Sequence, residues 1–540
     1  MPASSSSRRD RVALYLLVAG GLLVVLVALP YKRFDLDRYF VPKELVLHAC
    51  AWLTALLCIS KRRQLTLTLV DVLLAGFLVV SALSSVFAPN VWVAERAFAI
   101  SLSGAALFWV TSTLRRAGLV RPLVAWLAFA VVVGAATSLA QAYGVDSDYF
   151  SLNRAPGGTF GNRNFVAHLC AIGLPVLILV ALTARRGVNS LLSGIGVGVV
   201  SAALVLSRSR GAWLAIIALA VPVGILAIMT WSKWCEARTL RRLFVIGIAA
   251  MAGVAAAILL PNTLNWRSDN PYLESATGLV NYKEGSGRGR LVQYTNSLHI
   301  AEAHPLLGVG PGNWPVVYPK YASRNDPSLS SGDGMTSNPW PSSDWIAYLS
   351  ERGVIGLALL LLVFLGLFGR AVRELWQTRS RADGGSPRDP ERVMTALALV
   401  GTLVATAVVG AFDAVLLLAL PTFFVWTLAG ALAPPVTGRA SFRWGVHDLA
   451  PALVFGLGVI VVGRSACQLA AITISSTSSR AAALETASLL DPGNYRIQMR
   501  AAETQLNRGR CDAVRSHARK ARDLFPNAGE PRHYLSACGR

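Results

Sequence analysis

Apolar runs of about 18–25 residues recur along most of this chain, each long enough to cross a hydrocarbon layer about 30 Å thick as a helix. About thirteen can be drawn, at approximately 12–30, 45–60, 65–87, 94–113, 121–143, 164–184, 189–207, 211–230, 241–261, 345–369, 393–413, 414–433 and 449–469. They predict an all-α polytopic membrane protein. Composition agrees, since 15% of the residues are charged and 54% are hydrophobic, whereas soluble domains carry about 25% charged residues. The first run follows "SSSSRRDR" without a small-residue cleavage site, so it reads as a retained helix and not a removed leader.

Orientation follows from the lysines and arginines, because short basic loops resist translocation. Alternate loops carry them: residues 1–11, "KRR" at 61–63, "RRAGLVR" at 115–121, "RR" at 185–186, "KWCEARTLRR" at 233–242, the stretch 369–392 and "TGRASFR" at 437–443. These are expected to face the cytoplasm. The loops near 31–44, 144–163 and 262–344, and the tail beyond about 470, then face outward, so every long segment is external. Much of the formal net charge of +22 is this loop bias. No basic helix with interleaved aromatics accompanies it, which argues against nucleic acid as a partner. The seven cysteines show no CxxC or His/Cys ligand spacing, and no metal or cofactor is expected. Cys50, Cys58 and Cys170 sit in or near membrane segments as packing residues. Cys511 and Cys538 lie in the external tail, where a disulfide between them is expected to be possible.

The tail at 477–540 is polar and helix-forming. Pro492 and Pro526 stand 34 residues apart, the period of a tetratricopeptide hairpin, with Ala501, Ala502, Leu506, Ala513, Ala518 and Ala521 available for packing. About one and a half repeats fit, fewer than a free-standing solenoid needs, so the tail is expected to pack on the membrane domain or on a protein partner.

The external segment "EAHPLLGVGPGNW" (302–314) contains Gly308, Gly310 and Gly312 but does not make a nucleotide loop. Pro311 removes a donor, Trp314 and Pro315 follow where a helix would start, and Asn313 replaces the last glycine of the fingerprint. A rigid turn is the expectation. Arginines gather at the outer ends of the apolar runs: Arg154 and Arg163 in "NRAPGGTFGNRNF", Arg208 and Arg210 in "LSRSRGAW", Arg288 and Arg290 in "GSGRGRLVQY". Arginine at membrane depth is costly unless it faces a cavity or an anion, and guanidinium binds phosphate bidentately.

Four strings in one order, "GTFGNRNF", "SRGAW", "GRGRLVQYTNSLHIAEAHPLLGVGPGNW" and "SDWIAYLSERGVIG", resemble the O-antigen ligase and polymerase superfamily over roughly residues 40–430. The resemblance implies an inner-membrane glycosyltransferase of surface polysaccharide biosynthesis. It would move a glycan, without metal, from undecaprenyl diphosphate to a hydroxyl on a lipid, glycan or protein acceptor at the periplasmic face. It also places Arg210 and Arg290 on the diphosphate, with Arg288 as a further candidate, and Arg163 and Arg154 join them from the arginine pattern. One departure stands out: Gly353 and Gly356 set a register that puts Ser342 where the family has its functional histidine. Two candidates remain for the missing base. Asp344 is either that base or the N-cap of the next membrane helix, and His304 is either the base or a residue ending the helix before Pro305. The sequence therefore predicts a membrane domain at 12–470 with an external lid near 262–344. A protein O-oligosaccharyltransferase, a transporter of polyprenyl-linked glycan and a non-catalytic homologue stay open as alternatives.

Overall fold

The computed structural model describes residues 6–34, 36–59, 65–266, 268, 270–278, 285–330, 335–378, 389–435, 440–442 and 449–539. The basic loop at 61–63, and much of those at 369–392 and 437–443, lie outside the described residues.

The chain begins with α1 (Arg8–Leu26), α2 (Asp37–Ile59), α3 (Leu69–Val86), α4 (Val91–Arg116) and α5 (Val120–Ala142). Next come α6 (Arg163–Thr183), α7 (Gly187–Ser207), α8 (Arg210–Met229), the short α9 (Trp231–Trp234) and α10 (Ala237–Leu259). The segment 260–343 carries α11 (Pro271–Thr277), α12 (Gly285–Ala303) and α13 (Trp314–Val317). Membrane helices resume with α14 (Asp344–Gln377), α15 (Pro390–Phe412), α16 (Ala419–Leu432) and α17 (Leu449–Thr477). The tail is α18 (Ala481–Leu490), α19 (Tyr495–Leu506), α20 (Cys511–Leu524) and α21 (Glu530–Ala537).

Eleven of the described helices are long and apolar enough to cross a membrane. Two of the expected runs fall outside that set. The run at 12–30 is α1, which ends at Leu26 and has Arg8, Arg9, Asp10 and Arg11 in its first turn. The run at 414–433 forms the irregular segment 413–418 and the 14-residue α16, about 21 Å long at 1.5 Å per residue, which together carry the chain from one end of the bundle to the other. Every residue of α16 is buried, so its apolar character reflects protein packing and not lipid contact. By contrast α8, α10 and α17 turn large side chains such as Ile225, Met251 and Ile460 outward. In a chain of this kind such faces belong to lipid.

Caps explain several helix starts. Ser7 with Asp10, and Thr68 with Asp71, form capping boxes. Asn90 Oδ1 accepts Val93 N at 3.2 Å and Asn162 Oδ1 accepts Asn164 N at 3.0 Å.

The two ends of the bundle differ. At one end sit the short basic connections, where Arg121 pairs with Glu391 and Lys233 Nζ donates to Leu375 O at 2.6 Å. Strands β1 (Leu65–Leu67) and β2 (Ala440–Phe442) pair antiparallel there. These three-residue strands were not visible in the pattern of apolar runs. At the other end gather 87–90, 143–162, 208–209, 260–343, 413–418 and the tail.

The glycine-rich stretch 305–314 packs into a break in α14. Gly353 has φ 69° and ψ −178°, so the helix stops hydrogen-bonding at that point. Val354 N donates instead to Pro305 O at 2.8 Å. The freed carbonyls of Ser350 and Glu351 accept Val309 N at 3.0 Å and Gly310 N at 2.9 Å. A Cβ on Gly308 would strike the Glu351 and Arg352 backbone, and one on Gly353 would strike Leu306. The glycines thus satisfy an interrupted membrane helix, which sharpens the expected rigid turn.

The tail docks on the membrane domain. Phe34 and Val41 near α2, Ala471 and Ile472 of α17, and Ala487 and Ile497 of the tail form one core. Asn90 Nδ2 donates to Leu524 O at 3.0 Å and Asn527 Nδ2 to Val316 O at 3.1 Å. His517 ties three tail helices together through Gln498 at 2.8 Å and Glu485 at 2.9 Å. Pro492 and Pro526 each sit in the turn following a helix, α18 and α20. Cys511 and Cys538 form a disulfide, so the expected pairing is present.

Candidate functional site

A pocket of about 230 Å³ lies where the tail meets the membrane helices, and a second, of about 130 Å³, lies at the same end. The smaller one gathers the predicted arginines. Arg163 starts α6, Arg208 and Arg210 come from the α7–α8 turn, and Arg290 comes from the first turns of α12; all four side chains line it. Against these four cations stands a single carboxylate, Asp413, so the pocket is built for an anion.

Local structure pairs one of the four cations with a carboxylate and leaves the other three without one among the described residues. Arg208 takes a left-handed conformation, φ 51°, at the end of α7. Its guanidinium bonds Ser275 Oγ at 2.7 Å and Glu274 at 3.0 Å, and lies 4.8 Å over the Trp266 ring. Arg163 covers the same ring at 5.5 Å. Arg210 Nη1 donates to Gly278 O at 2.9 Å, and a Cβ on Gly278 would lie 2.6 Å from the Arg210 guanidinium carbon. A segment of the external loop is therefore latched over the pocket by the arginines themselves, and none of Arg163, Arg210 and Arg290 has a carboxylate salt bridge among the described residues.

Two expected ligands fall outside. Arg154 is exposed in the preceding turn, where its carbonyl accepts Arg163 N at 3.2 Å, and Arg288 is exposed on α12. The two expected bases are also displaced. His304 is exposed, fourteen residues beyond Arg290 along α12, hence about 21 Å away. Its backbone closes the helix, with His304 N donating to Ile300 O at 3.0 Å. Asp344 is fully buried, and its two oxygens accept Val415 N at 2.9 Å and Leu416 N at 2.8 Å. It fastens the irregular segment before α16 and does not line the arginine pocket. The N-cap of α14 is Ser343, not Asp344. Ser342 is held by its backbone to α12, through Gln293 Oε1 at 2.6 Å and the Tyr294 hydroxyl at 2.7 Å.

The residues that do supply proton-accepting atoms were missed. His168 and Asp413 line the pocket beside the arginines, with His168 Nε2 3.9 Å from Asp413 Oδ2. Asn164 Nδ2 lies 3.4 Å from the same oxygen. His168 is 1% exposed and its Nδ1 has no hydrogen-bond partner among the described residues. In sequence His168 lies inside an apolar run and resembles a packed core residue. Only the spacing from Arg163, five positions on, hinted that both open the same helix. Asp413 follows an apolar run and caps the end of α15. Among the described residues no group of three or more His, Cys, Asp or Glu side chains could hold a metal ion.

The fold and this pocket define a polytopic membrane protein with a cationic site at one end. Residues 195–361 match the family model described as O-Antigen ligase, so this part of the chain is similar to that family. The match contains Arg208, Arg210, Arg290 and the broken α14, while Arg163, His168 and Asp413 join from outside it. A comparison with curated proteins finds no match.

Proposed function

We propose that the chain is a metal-independent membrane glycosyltransferase that moves a glycan from undecaprenyl diphosphate to a hydroxyl acceptor at the periplasmic face of the bacterial inner membrane. The observation that carries this reading is the convergence of Arg163, Arg208, Arg210 and Arg290 with His168 and Asp413 in one pocket, at the end away from the basic connections. The N-terminus is then cytoplasmic and the tail periplasmic, an arrangement with which the Cys511–Cys538 disulfide agrees.

The acceptor oxygen forms a bond to the anomeric carbon on the face opposite the diphosphate. The bond from that carbon to the phosphate oxygen breaks, and its electron pair leaves with the diphosphate, whose growing charge Arg210, Arg290 and Arg163 stabilise. The hydroxyl proton passes to the Asp413 carboxylate, with His168 beside it, in the role that Ser342 cannot fill at its ordinary pKa. The presence of an imidazole and a carboxylate in the pocket favours an active enzyme over a non-catalytic homologue.

The test is a reconstituted assay with an undecaprenyl diphosphate glycan. Arg210→Ala and Arg290→Ala are each expected to lower transfer by about a hundredfold or more. Wild-type rates in both would remove the diphosphate cradle. The product, whether extended glycan, glycosylated lipid or glycosylated protein, separates polymerase, ligase and protein glycosyltransferase.

A further inference from the structure

The larger pocket differs chemically from the arginine site. Its walls come from α2, α4, α14, α17, the external loop and the tail, and four acidic and four basic side chains line it, so its charge is balanced. Arg96 is bidentate to Glu44 at 2.8 and 2.9 Å, which neutralises that pair. Glu351 and Arg352 are each 1% exposed, yet Glu351 Oε2 and Arg352 Nε and Nη1 have no hydrogen-bond partner among the described residues. The two groups stand 3.7 Å apart, beyond hydrogen-bond range. Buried donors and acceptors of this kind are costly unless a polar ligand or water meets them. Trp340 and Trp92, with Tyr495 and Phe525 from the tail, complete the lining. Flat aromatic faces beside unmet donors and acceptors of both kinds, with no net charge, match a chain of sugar rings, whose C–H faces stack and whose hydroxyls both donate and accept.

Position supports the same occupant. Phe40 and Trp340 line this pocket with their rings 5.2 Å apart. Phe165 packs on Phe40 at 5.6 Å and on His168 at 6.0 Å. One phenyl ring therefore separates the balanced pocket from the arginine pocket.

We infer that the cavity between the tail and the membrane domain is a binding site for the acceptor glycan, a neutral or zwitterionic oligosaccharide, with Trp340, Glu351, Arg352 and the tail residue Arg496 as its recognition elements. This rests on the proposed transfer reaction and makes a sugar hydroxyl the acceptor.

The test uses the full-length protein in detergent and two probes, the repeat-unit oligosaccharide released by mild acid from the host's own lipid carrier, and inorganic diphosphate. Trp340→Ala and Arg496→Ala, both at partly exposed positions that folding tolerates, are expected to weaken oligosaccharide binding about tenfold or more. Diphosphate binding should stay within about twofold, because neither residue lines the arginine pocket. Wild-type oligosaccharide binding in both variants overturns the inference. So does loss of that binding in Arg210→Ala alone, or binding of a serine-rich peptide by a protein that does not bind the oligosaccharide. If the oligosaccharide binds as expected while diphosphate fails to bind at all, the glycan site stands and the diphosphate reading falls.

Discussion

A guanidinium placed at membrane depth on a helix costs about 3 kcal/mol on insertion scales unless a cavity or an anion receives it. Arg163 and Arg210 were legible for that reason, since each stands at the outer end of an apolar run where no positive-inside bias explains it, and Arg290 was legible from the family resemblance. Their grouping was legible too, but the proton acceptor was not. Asp344 is near Ser342 in sequence and His304 lies in the same external segment, and such proximity is a poor guide where the site is assembled from α6, α8, α12 and the end of α15. The residue-level expectation is that Asp413→Asn and His168→Ala each lower the transfer rate, by about 10² to 10⁴-fold for the group that takes the proton, while inorganic diphosphate still binds. Asp344→Asn should behave differently. It turns an amide NH₂ toward Val415 N or Leu416 N and is expected to cost about 1–3 kcal/mol of stability. Thermal unfolding in detergent would fall, with the rate per folded molecule near wild type; a catalytic loss without a stability loss would restore Asp344 as the base.

At the scale of elements, eleven long helices followed from hydropathy alone, because length and apolarity are local properties. The runs at 12–30 and 414–433 show where that criterion ends. Residues of α16 are apolar because protein surrounds them on every side, and periodicity cannot distinguish such burial from lipid. Nor could the break at Gly353 be read, since a glycine inside an apolar helix is usually tolerated; here it is required by φ 69° and by the approach of Leu306. Gly353→Ala is therefore expected to destabilise the protein by more than about 1 kcal/mol, read as a lower melting temperature. An Ala variant as stable as wild type would mean that the helix can heal without the loop.

For the whole molecule, the tail is part of the architecture and not a pendant. Its short length predicted docking, and the core shared by Val41, Ile472 and Ile497 supplies it. The junction holds Asp491, whose carboxyl is raised above its ordinary range by burial, against opposing hydrogen bonding from Asn494 and the charges of Arg96 and Arg464; Asp37 adds to the rise. In the window between its ordinary and raised pKa the folded state holds a proton that the unfolded chain has released, so stability falls as pH rises through it and stays lower above. Asp491→Asn should raise the melting temperature at pH 7 and change little well below the ordinary carboxylate value of about 3.9. An equal effect at both pH values would point to packing and not to charge.

The hydrogen bonds shared by Pro305, Val309 and Gly310 with the interrupted α14 have a mechanical consequence. The external segment and the membrane helix form one continuous strut, so any strain applied to 305–310 by a substrate is transmitted directly into the lipid-embedded half of α14. Deuterium uptake at the amide of Val354 would report that transmission, slow while Pro305 O accepts its bond and faster once the strut is bent.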